Sequence, residues 1–423
     1  MGFTLKKCLF VLSLVFSVLT FSQEAVVLEL KIQGNKKIKS SFVKKLSKIK
    51  KGVLLDSTVL EADIRRLKRL PSVAHAYYQV FKSHDNLYNV FYNIEDNFTI
   101  IPSVSIYTTN EEEFAYRISL YEFNLLGRNI TFGGFYQKDI FDSFGVNFRA
   151  PFLFNRDFGL AVNFQDLNTL EPVFFNSGTV NYKYGNKSYE VLGLHQINTK
   201  NRIEAGISYF LEEYSLREVQ TNPDVIPGFS VKKLLYKGIY EYNNLDYYYQ
   251  YVSGFKSVLN FQYVTSTSDD LPEFVIAWND FHYYTRVGDK GNWASRLRVG
   301  FSSNDNTPFA PFSVDNNLNI RGVGNTIDRG TGAIVLNTEY RHVLYDKDWF
   351  TLQSNVFLDA GTWRNPGGTL GDFGDSDNIR VYPGLGFRFI HKRIFNAVFR
   401  VDYGFGITNG DTQGLVFGIG QYF

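Results

Sequence analysis

Asn319-Ile320-Arg321-Gly322-Val323-Gly324 carries the sharpest chemical signal in this chain of 423 residues. Gly322 and Gly324 let the backbone fold tightly, and the guanidinium of Arg321 then presents five donors in a fixed planar fork that matches a carboxylate. Two acids follow on the next apolar segments: Glu339, in Asn337-Thr338-Glu339-Tyr340-Arg341, and Asp359, in Phe357-Leu358-Asp359-Ala360-Gly361. A charge-assisted pair of this kind in a poorly hydrated interior would pin the segment in place. The other reading of the same residues is an ordinary solvated arginine in a surface turn. Neither is catalysis. The chain holds no G-x-S-x-G elbow, no H-E-x-x-H, no G-x-x-x-x-G-K-S/T and no G-x-G-x-x-G opening a helix. His75, His84, His195, His282, His342 and His391 lack metal-ligand spacing, and the acidic runs Glu111-Glu112-Glu113 and Asp269-Asp270 read as solvated loops. A triad assembled from distant residues stays open in principle. The expectation is a protein that is not an enzyme and uses no cofactor or metal.

The elements that must position Arg321 are strands. From Phe98 onward the apolar pattern has period two, broken by polar, Gly- or Asn-containing segments, and sixteen candidate strands run from Ser103–Tyr107 to Leu415–Phe423. The sixth, Thr179–His195, also reads as two short strands. Each strand with its connection takes about 20 residues, which suits tilted membrane-spanning strands of roughly 9–11 residues. Hydrophobic residues make up 44% of the chain and aromatics 17%, which excludes disorder as the main state. Past residue 22 no run of about 18 apolar residues exists, so helical membrane spans are excluded too. A soluble sandwich would show the same alternation. Against it stands the last strand, where Leu415, Phe417, Ile419 and Phe423 share one face while Gly414, Gly418 and Gly420 share the other. An apolar outer face over a small inner face fits a closed barrel in lipid, where only closure satisfies every backbone group. An even strand count places both ends of the barrel on one side.

The N-terminal part differs. Residues 1–22 read as an export signal, with Lys6 and Lys7 ahead of an apolar stretch and small residues before Gln23, or alternatively as a buried helix. The single cysteine, Cys8, lies in that stretch, so a chain starting at Gln23 has no disulfide or thiol chemistry. Residues 23–96 then read β-α-α-β-β: an alternating Val26–Ile32 strand, helical spacing of Phe42, Val43, Leu46 and Ile49, a second helix capped by Asp56 or Ser57, and two strands over Ala76–Phe81 and Tyr88–Ile94. This part carries a net charge of +6, against −6 for residues 97–423, and such asymmetry indicates separate domains. Lys44, Lys45, Lys48, Lys50 and Lys51 cluster on or just after its first helix. They either hold the domain near anionic lipid heads or form a solvated helix face.

Taken in order, the Arg-Gly motif, the Phe-x-Asp-x-Gly strand and the terminal Phe417-Gly418-Ile419-Gly420-Gln421-Tyr422-Phe423 resemble the BamA/TamA-like family of outer-membrane assembly factors. Asn124-Leu125-Leu126-Gly127-Arg128 and Ala150-Pro151-Phe152-Leu153-Phe154 are similar to that family's second-to-third and fourth-to-fifth strand turns. The β-α-α-β-β segment resembles its POTRA domain. The resemblance implies a mainly β chain: one small α+β POTRA domain in the periplasm, then a 16-stranded antiparallel transmembrane barrel over residues 97–423 in the outer membrane of a Gram-negative-type cell. It implies that Arg321, Gly322, Glu339, Asp359 and Gly361 form a latch in the lumen, and that Leu415, Phe417, Ile419, Gly420 and Phe423 form a C-terminal recognition strand bordering a seam. Val323 stands where the family usually has an aromatic, and Asp315-Asn316-Asn317 replaces a Gly-Gly. Implied partners are unfolded outer-membrane or secreted polypeptides, outer-membrane lipid and other envelope subunits, with no nucleic acid. Three functions are compatible: insertion of polypeptides, secretion of one dedicated partner, and a structural barrel in a larger complex.

Overall fold

The computed structural model describes residues 24–108, 114–175, 178–217, 225, 227–266, 273–304, 311–314, 319–324, 329–408 and 412–423. The expected leader over 1–22, the acidic runs at 111–113 and 269–270, and Asp315-Asn316-Asn317 lie outside them.

The first elements are β1 (Val26–Gln33), α1 (Ser40–Leu46), α2 (Ser57–Lys68), β2 (Val73–His84) and β3 (Leu87–Asp96). β3 lies centrally, parallel to β1 and antiparallel to β2. Both helices pack their apolar stripes on one face of this sheet, and Phe42, Val43, Leu46, Leu60, Ile64 and Leu67 join Val27, Val90, Tyr92 and Ile94 in one buried cluster. Asp56 caps α2 by accepting from the Thr58 amide at 2.8 Å. Ile49 falls beyond the end of α1 yet stays in the core, because Ser47 ends the helix in an extended conformation and turns the chain inward. A carboxylate holds that corner. Asp63, buried on α2, accepts from Ser47 Oγ at 2.6 Å, the Lys48 amide at 2.8 Å and Tyr92 Oη at 3.0 Å. Burial, and next the Asp63 charge, drive the Tyr92 phenol well above its usual range.

Sixteen antiparallel strands close the rest into a cylinder. They are β4 (Ile100–Thr108), β5 (Phe114–Leu125), β6 (Ile130–Lys138), β7 (Asp142–Ala150), β8 (Phe158–Phe175), β9 (Gly178–Gln196), β10 (Asn201–Leu216) and β11 (Gly228–Asn243), followed by β12 (Tyr251–Ser266), β13 (Phe274–Val287), β14 (Gly291–Ser302), β15 (Gly332–Asp346), β16 (Phe350–Arg364), β17 (Ile379–His391), β18 (Val398–Phe405) and β19 (Gln413–Ile419). β9 is one strand of 19 residues, not two. In the strand order β19 lies beside β4, so the last strand meets the first at a seam and the cylinder is nearly closed there. Side chains alternate as the period-two pattern requires: on β17, Leu385, Phe387 and Phe389 are at least half exposed while Arg388 between them has no exposure. The outside is greasy and the inside polar.

One expectation about β19 is corrected. Leu415, Phe417 and Ile419 do face outward, with Val416 buried between them, but the strand ends at Ile419. Gly420 takes φ +91°, a conformation that breaks the pleat and with it the alternation. Residues 421–423 therefore turn into the lumen, and Phe423 packs against Leu245, Tyr284 and Ala294 instead of sharing the outer face.

The N-terminal domain sits over one mouth of the cylinder, on hairpin turns that share that end. Phe42 and Arg66 stack on Phe152, and Lys45 Nζ donates to Phe152 O at 2.8 Å. Arg69 Nε and Nη2 donate to Leu245 O at 3.0 and 2.7 Å, and its Nη1 to Thr199 O at 2.7 Å. Lys68 pairs with Asp246 at 2.9 Å, and Glu95 with Arg393 at 3.0 Å. Of the basic cluster, Lys45 is thus spent on docking, while Lys44, Lys48, Lys50 and Lys51 stay exposed. Replacing Asp63 by alanine should take the acceptor from the buried Tyr92 hydroxyl and from the Lys48 amide, and cost about 1–3 kcal/mol for each left unpaired. A lower thermal midpoint of the domain in the full chain checks this, and an unchanged midpoint would remove Asp63 as the organiser of the corner.

Candidate functional site: a buried arginine in the barrel lumen

The segment around Arg321 enters the barrel because its flanks are apolar and its backbone is bare. Ile320 and Val323 join Val314, Ala333, Val335, Trp363 and Tyr382 in a cluster inside the lumen, all of them buried. Gly322, at φ +90°, lies against the backbone of Gly404 on β18, and a Cβ on either residue would collide with main-chain atoms of the other segment. Gly361 on β16 is needed for a different reason. A Cβ there would sit 2.6 Å from Val314 and 2.9 Å from Ile320. Asn337 Nδ2 donates to Asn319 O at 2.8 Å and Thr412 Oγ1 to Val323 O at 3.0 Å, fixing both ends.

Arg321 is fully buried and fully paired. Its Nε and Nη2 donate to the two oxygens of Asp359 at 2.8 and 2.9 Å, its own amide to Asp359 at 3.0 Å, and Nη1 to Glu339 at 2.6 Å. Asp402 lies 3.6 Å from Nη1. The guanidinium plane is covered on Phe357 at 3.6 Å and on Tyr422 at 4.3 Å from the ring centroids. Glu339 and Asp359 meet the arginine from adjacent strands, β15 and β16, whose register sets Asn337 opposite Asp359 and Glu339 opposite Phe357.

The pairings anticipated from sequence are therefore brought together, and the network extends further. Glu339 also takes Arg388 at 3.0 Å and Arg341, and Asp402 takes Arg388 at 3.1 Å and Arg400 at 3.2 Å. Gln421 accepts from Arg388 Nε at 3.1 Å. Arg341, Arg388, Arg400, Asp402 and the inward turn of Gln421-Tyr422 are the functional residues that sequence reasoning missed. The available signal was a charged side chain at inward-facing positions of glycine-rich strands, as in Arg400-Val401-Asp402-Tyr403-Gly404. A second set of pairs lines the wall from β9 to β14, including Arg202–Glu204 at 3.0 Å, Lys237–Glu190 at 2.9 Å and Arg298–Asp280 at 2.7 Å. Among the described residues, no group of three His, Cys, Asp or Glu side chains is placed to hold a metal ion.

This arrangement clamps charge between four neighbouring strands and the inserted segment. Comparison with known proteins agrees with the geometry. Residues 25–78 match the POTRA family model, described as a surface antigen variable number repeat. BamA from Haemophilus ducreyi lacking POTRA domains 1-3 superposes with a TM-score of 0.55 at 16% identity, over 93% of this chain and 84% of that one. The chain shares the fold of this structure, a POTRA domain followed by a 16-stranded barrel. CdiB from Acinetobacter baumannii gives a TM-score of 0.60 at 14% identity, over 94% of this chain and 74% of that one. CdiB from Escherichia coli gives 0.63 at 12%, over 93% and 75%. No curated protein matches by sequence.

Removing the guanidinium would leave Glu339 and Asp359 buried and under-compensated, a loss of about 3–5 kcal/mol. Arg321→Ala should therefore lower the heat-modifiability midpoint of the barrel strongly. Arg128→Ala, at an exposed turn, should leave it unchanged. Equal midpoints for the two variants would show that the cluster does not hold the barrel together.

Proposed function

We propose that the protein inserts or translocates polypeptides at the outer membrane, with its POTRA domain in the periplasm. The observation that carries this reading is the wall at the seam. β19 has seven residues and β18 eight, whereas β8 to β12 have 16 to 19. Seven residues advance about 23 Å, short of the roughly 9–11 residues that a tilted spanning strand needs. The barrel is lowest where its ends meet, on the side bounded by Leu415, Phe417 and Ile419, and Gly414 and Gly418 on the same strand contribute no side chain to hold it, Gly418 leaving room for the Arg400 guanidinium. Parting of β19 from β4 would present unpaired N–H and C=O groups that can template an incoming strand whatever its sequence. The POTRA sheet offers a second such edge at β2, where Tyr77 and Phe81 are exposed, while β1 is partly covered by Gly52 and Val53.

In this reading the Arg321 cluster and the docked POTRA domain keep the lumen filled until a client arrives, which opposes a passive diffusion pore. The domain's position over the mouth also favours a second reading, in which one dedicated partner is threaded through the lumen with the seam closed. Locking the seam separates the two. Cysteine pairs stepped along β4 and β19, oxidised in a chain whose native Cys8 lies in the expected leader, should abolish client handling if strands leave through the seam. The readout is the abundance of other barrels in the membrane after depletion of the native copy. Full rescue by the locked form would overturn insertion and leave secretion.

A further inference from the structure

A cavity of about 500 Å³ lies between the POTRA domain and the barrel lumen, within the size range of ligand sites. Its charged lining has one sign. The domain contributes Lys68 and Arg69, and the barrel contributes Lys256, Arg341 and Lys392, with His282 and His391 beside them. Among the described residues, no Asp or Glu lines it. The acids that pair with these cations stand behind them: Asp246 with Lys68 at 2.9 Å, Glu241 with Lys256 at 3.5 Å, and Asp346 with Lys392 at 2.6 Å. Arg69, whose three guanidine nitrogens donate to main-chain carbonyls, is satisfied in hydrogen bonding and carries its charge into the cavity.

The lumen behind the cavity continues the excess. Arg296, Arg321, Arg341, Arg388 and Arg400 face three carboxylates, Glu339, Asp359 and Asp402, and all but Arg400 are more than nine-tenths buried. Arg296 Nη2 and Arg400 Nε have no hydrogen-bond partner among the described residues. Cations on both walls of a partly enclosed space of low dielectric raise the local concentration of anions and strengthen each contact. Most of the remaining lining is aromatic and aliphatic, with Tyr247, Tyr249, Tyr284 and Val252, and a few amide side chains such as Gln250 and Gln421 complete it.

We propose that this vestibule binds an acidic, aromatic-bearing segment of a polypeptide, with carboxylates held by Arg69 on one wall and by Lys256 and Arg341 on the other. Because the two walls belong to different domains, such a segment bridges them and adds to the Lys68–Asp246 ion pair and the Arg69 hydrogen bonds that already fasten the POTRA domain to the mouth. This names a client chemistry and rests on the reading that client chains pass this mouth.

The test uses the full chain in detergent micelles and a short fluorescein-labelled peptide of alternating Glu and Tyr, followed by anisotropy at about 0.15 M salt, where exposed charges are already screened. A Gln-Tyr peptide of the same length should bind more weakly by a factor on the order of ten or more. Lys256→Gln should reproduce that loss with the Glu-Tyr peptide at an unchanged heat-modifiability midpoint; Arg69→Gln, which also removes three hydrogen bonds of the POTRA docking, should reproduce the loss of binding without that constraint on the midpoint. Should either variant misfold, a photo-crosslinking Glu-Tyr peptide on the unaltered chain keeps the question open to disproof, because it must mark Tyr249 or Val252. Equal binding of the Glu and Gln peptides, or crosslinks confined to the exposed β2 edge, overturns the proposal. Complete displacement by millimolar inorganic phosphate also overturns it, since the site would then take small anions. Selective peptide binding in a chain whose seam lock has no effect on clients would sink insertion while leaving this site standing. The reverse result would sink the site alone.

Discussion

A cation that has lost its water must find charge, and the interior of this barrel is organised by that requirement. Desolvating a guanidinium costs several kcal/mol even after relaxation, so Arg321 is tolerable only where Asp359 and Glu339 reach it in bidentate and single contacts and where two aromatic faces cover its plane. Everything nearby follows. β15 and β16 must hold their register, Gly361 must stay bare so that Val314 and Ile320 fit, and Gly322 must lie against Gly404. A one-residue slip of either strand would send its carboxylate to the outer face.

The same economy explains why the cluster grew beyond one pair. Glu339 is shared by three arginines and Asp402 by three, so no single contact holds the set. The network spans strands β15 to β18 and ties the quarter of the wall next to the seam into one block. The remaining wall is built on smaller, separate pairs such as Lys237–Glu190 and Arg298–Asp280. Rigidity and low wall height are thereby brought together on the same side of the molecule.

Much of this was legible in the residues. Period-two alternation gave all sixteen strand cores, because outward apolar and inward polar positions are the direct imprint of a wall between two media. Arg321 stood out because Gly322 and Gly324 follow it closely, and Glu339 and Asp359 because they interrupt apolar strands. What alternation does not tell is how far around the cylinder two inward residues lie. Arg388 and Asp402 therefore stayed hidden, since their partners are fixed by the register of neighbouring strands and not by spacing along the chain. Phe423 was misplaced for a related reason: Leu415, Phe417 and Ile419 extend the pattern smoothly, and the single left-handed turn at Gly420 that ends it leaves no trace in hydropathy. The docking of Lys45 and Arg69 was invisible as well, because a lysine on a helix looks the same whether it faces water or a carbonyl 2.8 Å away.

The inward hook after Gly420 ties two distant parts of the molecule into an interlock. Tyr422 covers one face of the Arg321 guanidinium while the strand just before it, β19, forms the border of the cylinder. Any sideways travel of that border withdraws the lid from the cation, so the rim and the innermost charge can move only as one mechanism.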